Sequence, residues 1–507
     1  MYNHSTTTGT QRPLADNRSC PANRLDPLQR QRLAVEALAG TQPISRLADC
    51  HDVSRKFVYQ QANLAQHALE QTFAPDADDG QQVLFTLPVT KALLRQMVLG
   101  LTLICHSSFR GAVEFLRDIL DCPLSLGTVA NIVHAAVDPA RLHNSRQDLS
   151  GVRIGAHDEI FQTQQPVLVG VDADSTYCYL LSPEEHRDGD TWGKRLGELK
   201  ERGFQPEATI ADFGAGLRAG QAVALPEVPC RGDVFHAEYE FGKVVRYLES
   251  LAYKALAVPM ALERQLATPG KRRDQQKSSL IARLRCARQR EAEAIALYDD
   301  SALLLRWLRE DILVVAGPDY ATRQELFDFV VEQLRLRIPF GPQGIKEVCT
   351  SLANQRQSLL AFALALDEAL AAVAARWQVP LSAVRQLQQV QKLSESNPRR
   401  WPQEVALRQQ LRERYHGLSE AVAEVSARVV RASSVAENLN SRLRGYFFLR
   451  RELGSGYLSL LQFFLNHRRF QRSEHAERVG KSPAELLTGQ AHPHWLEMLG
   501  YQRFQLN

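Results

Sequence analysis

The sequence predicts an α+β protein, mostly helical, and three observations carry that expectation. Apolar residues recur at helical spacing from about residue 25 to 148 and again beyond about residue 240. Between those stretches, from residue 151, the period changes to short runs rich in Val, Ile, Leu and Tyr, separated by turn residues. At 507 residues the chain is too long for one core, and roughly 150 residues per domain suggests about three.

Residues 1–24 are polar, rich in Thr, Asn and Arg and without periodicity, the composition of a disordered tail. Within 25–72 the stretch "TQPISRLADCHDVSRKFVYQQANLAQHAL" reads as a helix-turn-helix. Ile44, Leu47 and Ala48 face inward, Val53 seats the turn, and Ser54 caps a second helix. That helix exposes Arg55, Lys56, Tyr59, Gln60 and Asn63, side chains able to reach phosphates or base edges. Helical hairpins are also common in proteins that never touch DNA. A second helical region, 85–148, contains a similar pair in "SSFRGAVEFLRDILDCPLSLGTVANIVHAA", with Ser125 or Thr128 starting its second helix.

"VRIGAHDEIF", "QPVLVGVDAD" and "TYCYLLSPEEH" predict three consecutive antiparallel strands. "TWGKRLGELKERG" is a helix closed by Gly203, "EATIADFGAG" a buried strand ending in a carboxylate, and "VPCRGDVFHAEYEF" a further short strand. Together, over 150–240, they make a mixed sheet with helices on its faces. Nearly every segment from 241 to 430 is helical, broken at "SESNPRRWP" and Pro402. Trp307 and Trp401 fall inside that region, and Lys271, Arg272 and Arg273 in a loop of it. Residues 431–507 begin with another helix, which packs back onto the sheet.

The net charge is only +4, yet residues 428–481 hold 11 Lys or Arg against 4 Glu, so the basicity is local, as in a nucleic-acid footprint. Eight scattered cysteines without a C-x-x-C pair, and no signal-peptide pattern, indicate a reducing, cytoplasmic compartment. No run of about 18 apolar residues stands out, and no membrane partner is expected.

In "SSVAENLNSRLRGYFFLRR", Ser433 or Ser434 as N-cap starts a helix in which Glu437, Asn440 and Arg444 share a face. Arg442, Arg444, Arg450 and Arg451 flank it as expected phosphate contacts. A lone acid does little chemistry, but Asp158 in the first strand and Asp212 at the end of the fourth sit where a sheet brings them towards Glu437. Convergent hard oxygens hold two Mg²⁺ or Mn²⁺ ions, which can activate the attacking oxygen and stabilise the leaving oxygen of a phosphodiester. Taken singly, each acid has an ordinary role: Asp212 ends a strand, Glu437 pairs with Arg444, Asp158 neutralises His157.

This order of strand-Asp, two strands, helix, strand-Asp and distant helical Glu resembles the ribonuclease-H-like core of DDE transposases from bacterial insertion sequences. The run from "SSVAENLNSRLR" to "RVGKSPAELLTG" is similar to the end of that family's catalytic domain, and the likeness covers roughly residues 150–490. The resemblance implies that Asp158, Asp212 and Glu437 are the metal-binding and catalytic triad and that 241–430 is an all-helical insertion into the catalytic domain. It also implies binding of double-stranded DNA, as transposon ends and as target, by a homodimer or higher oligomer in the bacterial cytoplasm, associated with the nucleoid. Asp172 and Asp174 also follow a strand, but the family pattern favours Asp158. "CRGDVFHA" departs from the C-x-x-H element of related families: Cys230 and His236 lie six apart, with Asp233 in the nearer position. Two such groups are too few for structural zinc, which leaves His236, like Asn440, as an accessory candidate. The rival functions are a metal-dependent nuclease or junction resolvase of the same fold, and a non-enzymatic DNA-binding regulator.

Overall fold

A computed structural model describes residues 25–73, 87–212, 214–267, 274–449 and 453–503, in two compact units, Met1–Val89 and Thr90–Asn507. The expected tail, the run Lys271–Arg273, and Arg450 with Arg451 lie outside the described residues.

The small unit holds α1 (Pro27–Ala39), α2 (Ile44–Cys50) and α3 (Arg55–Thr72). Asp26 and Gln29 form a capping box at the start of α1, and Gly40, at φ +63°, ends it. Leu33, Leu47, Ala48 and Val58 form the core, with Ile44 and Val53 packed on it. Ser54 Oγ accepts from Phe57 N at 3.1 Å, the cap expected from the sequence. Arg55, Lys56, Tyr59, Gln60 and Asn63 are all exposed on α3.

The large unit opens with α4 (Lys91–Leu103), α5 (Phe109–Leu120), α6 (Leu126–Ala135) and α7 (Val137–Arg146). Ser125, rather than Thr128, caps α6. These helices do not form a region apart: Leu99, Leu116, Val129 and Val137 share one core with Ala156, Val167 and Val169, and with Leu439, Leu443 and Phe464. The apolar faces that read as a hairpin's own core cover the sheet instead.

The sheet has the order β3-β2-β1-β4-β5. Strands β1 (Ile154–Gln162), β2 (Gln165–Asp172) and β3 (Cys178–Pro183) run antiparallel as expected. After α8 (Gly189–Lys200), β4 (Ala208–Ala211) pairs parallel to β1; after α9 (Ala215–Ala224), β5 (Cys230–Gly232) pairs parallel to β4. The outer edge of β3 is occupied by a side chain, since Asn466 accepts from Cys178 N and donates to Cys178 O, both at 2.8 Å. With Gln462 Nε2 also donating to Cys178 O at 2.9 Å, two side chains pair the backbone of this edge residue.

Helices α8 and α9 lie on the face lined by Tyr179, Trp192, Phe204 and Leu217. A Cβ on Gly220 would stand 2.5 Å from Trp192 Cβ and 2.6 Å from Gly193 N, so only glycine permits this approach. Gly220→Ala is expected to destabilise the protein by about 1–3 kcal/mol through overpacking, read as a lowered urea midpoint at unchanged slope.

From α10 (Val234–Ala267) through α11 (Asp274–Trp307), α12 (Tyr320–Arg337), α13 (Gln343–Trp377), α14 (Leu381–Lys392), α15 (Arg400–Leu411) and α16 (Tyr415–Ala427), no strand occurs among the described residues. The helical stretch starts at Val234, directly after β5, earlier than the expected 241. Helix α13 is long and apolar enough to cross a membrane by length and composition, which counting apolar runs missed. Its Leu352, Leu359 and Leu360 pack in one helical core, and its Leu366 and Leu370 in another. Trp307 packs with Phe329, ring centroids 5.6 Å apart, whereas Trp401 is exposed. The chain then returns to the sheet as α17 (Ser434–Leu449), which packs across β1 and β2, followed by α18 (Ser455–His467) against β3 and α7.

Candidate active site

Strand register brings the first acids together. In the parallel pairs, His157 stands opposite Ala211, and Ala211 opposite Gly232. One residue further along each chain come Asp158, Asp212 and Asp233, level with one another across three adjacent strands. Side chains alternate along β1. His157 therefore points to the face of Tyr179 and Trp192, and Asp158 to the opposite face, where Ala156 and Ile160 meet α17.

Helix α17 completes the group. Asn440, 2% exposed, donates from Nδ2 to Asp158 Oδ2 at 2.7 Å. Glu437 lies three residues earlier, on the same helical face, with its backbone N bonded to Ser433 O at 3.0 Å. Asp212 Oδ1 accepts from Gly214 N at 3.0 Å, which ties that carboxylate to the start of α9. Burial pushes Asp158 up to about 7; a bond from Glu159 N opposes the shift, and the negative charges of Glu437, Asp212 and Asp233 add to it. Three other carboxylates are thus close enough for their charges to be felt at Asp158. Asp158, Asp212 and Glu437 form no ion pair with a described residue.

Of the ordinary roles, only that of Asp212 is adopted, directly after β4 and at the start of α9; Glu437 forms no ion pair with Arg444. His157 is fully buried with Nε2 2.9 Å from the Tyr179 hydroxyl, and burial pushes it down to about 3, so it is neutral and balances no charge on Asp158. Asp172 accepts from the backbone and hydroxyl of Ser175, and Asp174 pairs with Arg153 at 2.7 Å. Both competing acids are committed to the turn after β2.

Asp233 did not figure among the expected site residues. Its signal is the one that marks Asp212, an acid directly after a short strand. It is 2% exposed and accepts from the backbone N and hydroxyl of Ser433 and from His236 N. Ser433 precedes α17, as its reading as N-cap required, with its hydroxyl turned to Asp233.

The accessory and basic candidates divide. His236 has Nε2 3.9 Å from Glu240 and lines a cavity of about 610 Å³ with Lys243, Tyr247 and Glu347, so its ring is turned towards the helical insertion. Arg444 is exposed. Arg442 is half-buried beside Tyr446, and burial together with the Arg468 charge holds it below its ordinary value. At five residues from Glu437 it lies well round the helix from that acid.

Among the described residues, no three His, Cys, Asp or Glu side chains close into a ready-made metal cage. The donors are nevertheless of the type that Mg²⁺ and Mn²⁺ take: carboxylate oxygens lacking a cationic partner, with a buried amide oxygen, Asn440 Oδ1, that has no hydrogen bond. Negative charges felt at one carboxylate favour a divalent cation beside it. No protein-family model matches the chain, and no curated protein matches it.

Proposed function

We propose that the protein is a DDE-type DNA transposase that binds the terminal inverted repeats of a mobile element, cleaves its ends and joins them to target DNA. The observation that carries this reading is the convergence of Asp158, Asp212 and Glu437, from two strands and a helix more than 200 residues further along the chain. The sheet order, three antiparallel strands followed by two parallel ones, supports a ribonuclease-H-like core, and the all-helical stretch supports an insertion between the second Asp and the Glu.

In this reading Asp158, Asp212 and Glu437 would hold Mg²⁺ or Mn²⁺ ions, which supply activation of the attacking oxygen and charge stabilisation at the leaving oxygen. Asn440 orients Asp158 by donating to Oδ2. The α3 side chains Arg55, Lys56, Tyr59, Gln60 and Asn63 read the ends as a helix-turn-helix, and Arg444 contacts phosphate. Water or a freed 3′-hydroxyl is the nucleophile, so no covalent protein–DNA intermediate forms. Joining two ends calls for a homodimer or larger assembly on DNA, acting in the bacterial cytoplasm at the nucleoid.

Incubating the purified protein with a labelled element end, supercoiled plasmid and Mg²⁺ tests the reading. Strand-transfer products are expected; nicking without joining identifies a nuclease or resolvase, and binding without cleavage a regulator. In the same assay Asn440→Ala is expected to lower cleavage about 10- to 100-fold, the usual loss when a partner of a metal ligand is removed, with DNA affinity unchanged.

A further inference from the structure

The chain leaves the sheet at Asp233 and returns to it at Ser433, 200 residues later, and these two residues are bonded to each other. Asp233 Oδ2 accepts from both the hydroxyl and the backbone N of Ser433, while Oδ1 accepts from His236 N at 3.2 Å in the first turn of α10. A second stitch lies alongside, where Val234 N donates to Arg431 O at 3.0 Å. Arg431 in turn reaches Leu313 O at 2.6 Å and Glu238 at 3.8 Å, which ties the same crossing to the insertion. Asp233 and Ser433 are 2% and 3% exposed, so this carboxylate is enclosed by three protein donors rather than presented to a ligand. Glu437 is one turn beyond Ser433 and bonded to its carbonyl. Wherever Ser433 is held, Glu437 follows.

We infer that Asp233 is a positioning residue whose carboxylate clasps the exit and return of the helical insertion and thereby holds Glu437 in reach of Asp158 and Asp212. The inference rests on the reading of those three acids as a divalent-cation site. It also couples the insertion to that site, because any movement of the α10 start relative to α17 must pass through the clasp. An asparagine at 233 cannot replace it: its amide group would face one of the three donors in either orientation.

Titration of Mn²⁺ into the full-length protein, followed by calorimetry beside thermal melting, tests this. Asp233→Asn and Ser433→Ala are expected to weaken Mn²⁺ binding about 10- to 100-fold, as loss of the groups that orient metal ligands does. Ser433→Thr, which keeps the hydroxyl, should restore affinity close to wild type, a rescue that general destabilisation does not produce. The double variant should be no weaker than the worse single one, because both remove the same contact. Should Asp233→Asn fail to fold, the Ser433→Ala and Ser433→Thr pair decides alone. Wild-type Mn²⁺ affinity in folded Asp233→Asn and Ser433→Ala, with affinity lost in Asp158→Asn, overturns the clasp by itself, as does multiplication of the two effects in the double variant. Wild-type affinity in Asp158→Asn overturns the cation site and the clasp with it.

Discussion

Asp212→Asn is expected to abolish cleavage and strand transfer at any Mg²⁺ or Mn²⁺ concentration while leaving the protein folded and bound to DNA. The substitution removes a hard anionic oxygen and little else. Asparagine keeps an Oδ1 that can accept from Gly214 N, so the 3.0 Å bond that begins α9 survives. A fall of a thousandfold or more, equivalent to about 4 kcal/mol in the barrier, is the expected scale. Both steps should fail together, since one set of carboxylates serves both. DNA affinity should persist, because it rests on the exposed α3 side chains and Arg444, whose phosphate contacts need no catalytic ion. Gel-shift and strand-transfer assays on the same preparation separate the two. A variant that still joins ends shows that Asp212 is no ligand; one that also loses DNA shows that recognition and chemistry are not separable.

The second large effect is a pH dependence of divalent-ion binding centred on Asp158. Its folded value, about 7, lies above the ordinary 3.8, so between these values the ion-free folded state holds a proton that the unfolded chain has released. The contribution of this group to stability is fully present below about 3.8 and is lost as the pH rises through about 7, at no more than about 1.4 kcal/mol per unit. A bound cation needs the ionised carboxylate, so apparent Mg²⁺ affinity should fall about tenfold for each unit below 7, with close to one proton released per ion bound at pH 6. Calorimetry in two buffers of different ionisation enthalpy measures both quantities. Mg²⁺ should also raise the melting temperature more at pH 8 than at pH 6. Affinity that stays constant from pH 6 to 8 would show that no metal ligand takes up a proton in that range and would contradict a raised Asp158 among the ligands.

What could be read in advance followed from whether the determining contact was local. Ser54 and Ser125 cap helices through neighbours three residues on, and the short apolar runs "VRIGAHDEIF" and "QPVLVGVDAD", broken by turn residues, mark two strands that pair with each other. The position of Asp158 within one such run and of Asp212 directly after another was therefore legible. Asp233 carried the same local mark, but its meaning depends on Ser433, 200 residues distant, and no periodicity encodes that bond. Arg442 and Arg444 are both basic and close in sequence, but two positions along a helix turn a side chain to another face: Arg444 is exposed and Arg442 half-buried by Tyr446, a difference that their spacing from Glu437 alone does not show. The helices of 85–148 read as a unit of their own because amphipathicity reveals that an apolar face is covered, not by what. Here Leu99 and Val129 are covered by the sheet and the last long helices.

Anomalous scattering from crystals of the protein soaked in Mn²⁺ tests the central claim most directly. Two peaks about 3.5–4 Å apart among the carboxylates of Asp158, Asp212 and Glu437 are expected, with the Asp233 carboxylate still bonded to Ser433 and in contact with neither ion. A single peak held by Asp172 or Asp174, or none near α17 at saturating Mn²⁺, would contradict the account.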